Sequence, residues 1–280
     1  MRRERLTHDI YVFTSDRYAQ VTAGLVLTNE GAVIIGTLVY PQETRAIKQF
    51  VEERLKSRVA YVVNTHYHAD HTTGTCFFEG AQVIAHELCY DLLNTCGRDS
   101  LEQARSSSPE MADVQLVLPN VLFSEQFTLK LGERTLRFWS TPGHTSDSIV
   151  CLVEEEQILF AADTLMPLPY FVDGDYDALV ASLEGLKRQP FEAIVQGYGE
   201  VILRGEVEDK IQSDLDYLYN LRKHVGKALN TANPQDTLNK IDVEMCGKNR
   251  ILMTGMAPQL HRQNVKWLAA KHTQPELPER

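Results

Sequence analysis

Residues 64–74 read NTHYHADHTTG and directly follow the apolar run VAYVV. Three of the chain's nine histidines, His66, His68 and His71, fall here within six residues, with Asp70 among them. A short run rich in β-branched residues and apolar nearly throughout is how a strand buried on both faces reads. The histidines therefore leave the end of a central strand in a turn. On extended chain, residues i and i+2 project the same way, so His66 and His68 can grip one ion. Asp70 and His71 come round the turn and can face a second. Neutral imidazoles and carboxylates are favoured ligands of zinc. The alternative is a polar loop that carries histidines without binding anything.

A metal centre also needs ligands from elsewhere in the fold, and two more segments offer them. In STPGHTSDS, His144 stands after Gly143, where a missing side chain lets backbones approach closely. Asp163 ends the apolar run ILFAAD, and a carboxylate at the end of a buried strand must be paired or bound to a metal, because burying it bare costs too much. Three such points, each at a strand end, favour one metal centre over three unrelated polar loops.

Around these points the chain alternates strands and helices. IYVF, AGLVLT and AVIIG read as strands, with Asn29-Glu30-Gly31 as a hairpin turn. A helix is expected after Pro41, since Ile47, Phe50, Val51 and Leu55 recur with helical spacing. QVIA reads as a strand, HELCYDLLNTC as a helix, and residues 97–113 as a surface loop or lid. VQLVL, FTLKL, TLRFWS, SIVCLV and QILFAA form a second β-rich block, with Glu154, Glu155 and Glu156 as a solvated hairpin turn. A helix over Tyr176 to Lys187 and a last buried strand, AIVQG, follow. This order predicts an α+β chain, two mixed β-sheets packed together with helices outside.

Beyond residue 206 the character changes. Val207, Ile211, Leu215, Leu218, Leu221 and Val225 place one long amphipathic helix, and a second is expected over Pro258 to Lys271. The division expected is a catalytic domain over 1–206 and a helical C-terminal extension over 207–280, with TQPELPER as a disordered tail.

The 280 residues, 43% hydrophobic and 24% charged, suit an ordinary globular protein. A formal charge of −10 argues against a nucleic-acid partner, since phosphate backbones select basic surfaces. No apolar run reaches the roughly 18 residues needed to span a bilayer, and MRRERLTHDI leads into no signal-peptide core. The five scattered cysteines contain no C-x-x-C pair and suit free thiols. The expectation is a cytoplasmic protein with a small-molecule substrate, no membrane, and a homodimer through the C-terminal helices as an option.

H-x-H-x-D-H, then P-G-H-T, then an aspartate ending an apolar strand, resembles the metallo-β-lactamase-fold hydrolases, in their glyoxalase II-like and thioesterase-like branch. The resemblance covers about residues 9 to 206. It implies an αββα sandwich with metals at one edge between the sheets. Carried onto this chain, it assigns His66, His68 and His144 to a first metal and Asp70 and His71 to a second, with Asp163 bridging. The metals would be one or two zinc ions, with iron or manganese as alternatives. A shared water would ionise near neutral pH and attack an ester, thioester, amide or phosphodiester. Asp70 would both bind metal and orient that water.

Two positions depart from the family pattern. Gly36 ends AVIIG where relatives usually carry an aspartate that orients the ligand loop. Gly197-Tyr198-Gly199 stands where relatives usually read G-H-G, which would replace a histidine of the second metal by Tyr198. A protonated Tyr198 would donate a hydrogen bond to the water or the developing oxyanion; a phenolate would instead suit iron. In LMPLPYFVDGDY, Met166, Leu168, Tyr170 and Phe171 are either a substrate wall or core, and Lys248 and Arg250 either meet an anionic substrate or are solvated.

The leading expectation is a metal-dependent hydrolase of a small carboxylic-acid derivative such as a thioester or lactone. A mononuclear iron persulfide dioxygenase would use His66, His144 and Asp163. A degenerate metal-binding or regulatory protein is the third reading.

Overall fold

The computed structural model describes residues 1–273. Thirteen strands form two sheets: β1 (Arg2–Arg5), β2 (Ile10–Thr14), β3 (Thr22–Thr28), β4 (Gly31–Ile35), β5 (Val59–Val63), β6 (Gln82–His86) and β7 (Val121–Phe123) make the first. β8 (Gln126–Leu131), β9 (Arg134–Ser140), β10 (Ile149–Val153), β11 (Ile158–Ala162), β12 (Ala193–Gln196) and β13 (Val201–Leu203) make the second. The helices are α1 (Pro41–Gln49), α2 (Ala69–Thr72), α3 (Glu87–Leu92), α4 (Arg98–Ser107), α5 (Tyr176–Lys187), α6 (Arg204–Leu229), α7 (Pro234–Leu238) and α8 (Ala257–Thr273). Both sheets are mixed. The first lies in order β1 to β7, antiparallel as far as β4 and parallel from there to β7. The second runs β13-β12-β11-β10-β9-β8, antiparallel except for the parallel pair β11–β12.

The inner faces of the two sheets meet in one apolar cluster, in which Val12, Val33 and Val63 of the first sheet lie with Phe138, Cys151 and Phe160 of the second. A larger cluster carries Phe13, Leu25 and Ile34 with Ile47 of α1, and Leu159 and Ile194 with Leu183 of α5 and Ile211 of α6. The expected αββα sandwich and its helical C-terminal region are therefore present. The apolar stripe of α6, from Val207 to Val225, is buried within this cluster.

Local signals explain most elements. The two-residue turn Asn29-Glu30 joins β3 to β4, with Thr28 opposite Gly31. Pro41 opens α1, where its missing N–H is no loss. Asp175 caps α5 by accepting from the Ala178 amide.

Four expectations change. Residues 98–107 of the expected loop or lid are the helix α4, and the serine cluster marks only its end, where Ser106 and Ser107 hydroxyls bond back to the Gln103 carbonyl. VQLVL is not a strand: it crosses beneath α4, while β7, three residues further on, takes the sheet edge. The glutamate turn of the β10–β11 hairpin is not merely solvated, because Glu156 pairs with Arg134. Lys248 is buried, donating to Asp214 (2.7 Å), and Arg250 pairs with Glu244. The tail from residue 274 lies outside the described residues; among those described, no helix is long and apolar enough to cross a membrane. The five cysteines are free thiols.

Candidate metal centre

β9 and β11 each run antiparallel to β10, and β12 runs parallel to β11, so all three finish at the same end of the second sheet. The loop after β9 carries His144, the residue after β11 is Asp163, and Tyr198 follows β12 by two. The loop after β5 brings His66 to the same place, tied across the sandwich by the Ile149 amide, which donates to the Thr65 carbonyl (2.9 Å). Thr75 donates to the Asn64 side chain (2.8 Å) and the Thr141 and Thr164 hydroxyls pair (2.8 Å), fixing the loops to one another.

Four ligand atoms converge there. One atom each from His66, His68, His144 and Asp163 lies within 4.8 Å of the others. His68 Nδ1 is 3.2 Å from His66 Nε2 and 3.0 Å from His144 Nε2, while Asp163 Oδ2 is 3.3 Å from His144 Nε2 and 3.8 Å from His66 Nε2. Three imidazole nitrogens pointing at one spot cannot all be satisfied by one another, and a cation at that spot would satisfy them together.

Each ring is held from behind. His144 Nδ1 lies 2.9 Å from the Tyr170 carbonyl, His66 Nδ1 3.3 Å from Thr65 Oγ1, and His68 Nε2 3.3 Å from Asp173 Oδ2. Outer partners of this kind fix a ligand's tautomer and orientation. Burial, with the other three histidines adding to it, pushes His66 well below the usual imidazole range, keeping its lone pair for a cation.

Asp70 and His71 stand on the other side of Asp163. His71 Nε2 is 3.1 Å from Asp163 Oδ1 and 3.6 Å from Asp70 Oδ2. Apart from each other, His71 Nε2 and Asp163 Oδ1 are buried without a hydrogen-bond partner, which leaves both able to face an ion. Asp163 thus turns one oxygen to each side. The Tyr198 hydroxyl donates to Asp70 Oδ2, and burial together with the Asp70 and Asp163 carboxylates pushes this phenol well above its ordinary range. Gly197 has to be glycine, since a Cβ there would come within 1.9 Å of Asp163 Oδ1. Gly36 adopts φ +68°, and a Cβ on it would lie 3.5 Å from His71 Nδ1, so an aspartate at this position would stand beside that ring.

All six sequence-based metal candidates and Tyr198 are therefore brought together. The loop after Asp163 divides: Met166 and Tyr170 line the metal cleft, whereas Leu168 and Phe171 are fully buried core. Missed from the sequence were Asp173, Tyr18 and the C-terminal Met253, Met256 and Leu260, which complete the cleft wall. Only Asp173 left a trace, as a carboxylate beside Gly174 in a loop already adjoining the site.

The model of the metallo-beta-lactamase superfamily matches residues 17–198, about two thirds of the chain. This chain belongs to the metallo-beta-lactamase superfamily. Among relatives in that superfamily, it is 27% identical over 182 residues to thioesterase pkgB of Emericella nidulans, covering 64% of this chain and 43% of the thioesterase. It is 28% identical over 214 residues to a type 2 metallo-beta-lactamase of Bacillus cereus, covering 72% of this chain and 77% of the lactamase. In structure it is similar to the sec-alkylsulfatase Pisa1 of a Pseudomonas species, with a TM-score of 0.75 at 15% identity over 97% of this chain and 50% of the sulfatase. The chain thus spans half or less of two of these three relatives. The superfamily and the His/Asp cluster together imply a divalent metal.

Proposed function

We propose that the protein is a metal-dependent hydrolase of a small carboxylic-acid derivative, a thioester or lactone. The observation that carries the reading is the convergence of His66, His68, His144 and Asp163 on one point, with Asp70 and Tyr198 beside it. A divalent cation bound there supplies a Lewis acid and makes water available as a nucleophile near neutral pH.

The protein's own groups do the rest. His66, His68 and His144 hold the first position, and Asp163 reaches it through Oδ2 while facing His71 through Oδ1. With Asp70 Oδ2 engaged by Tyr198, Oδ1 is left to accept a proton from the attacking water and to aim its lone pair. Tyr198, protonated, holds that carboxylate in place. Met166, Met253, Met256 and Leu260 wall the cleft and limit bulk water around the reacting carbonyl. The resemblance to a thioesterase supports this substrate class, and zinc is the metal that a set of three imidazoles and a carboxylate suits best.

The test joins elemental analysis of protein purified without added metal to thiol release from simple thioesters. At least one equivalent of zinc, with activity removed by chelation and restored by zinc, is the expected result. One equivalent of iron with oxygen consumed on a persulfide would replace this reading by a dioxygenase. Absence of any metal would leave a degenerate binding protein.

A further inference from the structure

Two cavities lie on either side of the metal-binding loop and share part of their walls. The open cleft, about 240 Å³, contains Asp70, His144 and Asp163. A more enclosed one, about 130 Å³, lies behind the ligand loop and beneath α4, bounded by Leu93, Leu101, Ala104, Met111, Val114 and Leu116. His68 and Ala69 belong to the walls of both. The inner cavity therefore begins where the metal-binding loop ends.

Its chemistry is one-sided. Aliphatic side chains form half of the lining, joined by Met111 and by the polar but uncharged Tyr67, Thr72, Thr73, Ser100 and Gln115, and among the described residues no lysine or arginine lines either cavity. The nearby Arg105 guanidinium is held by the Val114 carbonyl. An anionic substituent in the inner cavity would find no cationic side chain to pair with, and burying it unpaired is costly. An apolar cavity of about 150 Å³ is known to stay dry and admit benzene, which sets the scale of the occupant.

We propose that the inner cavity under α4 receives an uncharged, apolar acyl group of about the size of a phenyl ring, so that the enzyme selects neutral arylalkyl or branched-alkyl thioesters over carboxylate-bearing substrates. This inference rests on the hydrolase reading for its kinetics, but the cavity can be probed without turnover. Leu101 and Ala104 are the specificity-determining positions, presented by a helix with no fully buried residue, so they can be changed without opening the core.

The zinc-loaded full chain is assayed on N-acetylcysteamine thioesters of acetic, phenylacetic, succinic and glutaric acid, which share a neutral leaving group so that only the acyl group varies. The expected result is kcat/KM for the phenylacetyl thioester at least about tenfold above the acetyl one, the return typical of filling an apolar pocket. The two carboxylate-bearing compounds should lie below both. Ala104→Phe, which fills the cavity, should erase the phenylacetyl preference, and Leu101→Gln should lower it. In parallel, fluorotoluene binding to metal-free protein is followed by fluorine NMR, with broadening expected in wild type and lost in Ala104→Phe. Equal rates on the two neutral thioesters, a preference for the anionic compounds, or fluorotoluene binding unchanged by Ala104→Phe would overturn the proposal. Inactivity on every compound would instead reject the hydrolase reading, and the fluorotoluene result would still decide the cavity.

Discussion

The two halves of the proposed metal centre are built to different standards. At the first position three histidines are each braced from behind, by the Tyr170 carbonyl, Thr65 and Asp173. At the second, Asp70 is braced by Tyr198, a group that itself stands where a ligand would be expected, and Gly36 offers no side chain beside His71. A ligand held in its binding orientation before the ion arrives gives up less freedom when it binds. The first position should therefore hold its ion tightly and the second loosely, with Tyr198 converting a metal ligand into a brace for Asp70.

The largest effect that can test this contrast is His144→Ala. It should remove the first metal and lower thioester hydrolysis by at least about a thousandfold, the scale of losing several kcal/mol of charge stabilisation. Unchanged metal stoichiometry in that variant would show the ligand to be misassigned. Asp70→Asn comes next, with turnover down about a hundredfold, as for loss of a general base, while first-position metal is retained. More than a tenth of wild-type activity at unchanged metal content would remove Asp70 from that role.

Asp173→Asn probes the bracing itself. Weakening the partner of His68 Nε2 should loosen the first metal about tenfold, measured by competition with a graded chelator, with little change in the folded structure. Affinity equal to wild type would mean that His68 is oriented by packing alone. Tyr198→Phe should have the smallest effect, a fall in turnover of roughly fivefold, the worth of one hydrogen bond, with metal content little changed after dialysis against a mild chelator. If that variant loses the second metal while wild type keeps it, Tyr198 is a ligand and the contrast drawn above collapses.

The sandwich was legible because its signals are short in range. VAYVV, SIVCLV and ILFAA declare buried strands by composition alone, and Pro41, Asn29-Glu30 and Asp175 mark ends by local chemistry. The convergence of the candidate ligands was legible for a similar reason, since each lies on the segment that leaves a strand end, Asp163 immediately after β11 and the histidines within eight residues of β5 or β9. What failed depended on distance or competition. VQLVL has the composition of a strand, yet β7 pairs with β6 and the Asn120 side chain accepts from the Val83 amide, leaving no ladder for it. Residues 98–107 carry only Leu101 and Ala104 as apolar side chains, so nothing in their composition stands out against the serines that end the helix. Met253, Met256 and Leu260 reach the cleft only through the packing of α6 and α8, which no local spacing records.

That last placement sets an order on biosynthesis. Every ligand candidate precedes α6 in the chain, whereas three of the residues that complete the cleft wall, Met253, Met256 and Leu260, lie beyond it. A chain made from its N-terminus onwards therefore presents its candidate metal ligands before the residues that would shelter the reacting carbonyl. Exclusion of water from the proposed site would then mature later than its ligand set, when α8 docks against α6.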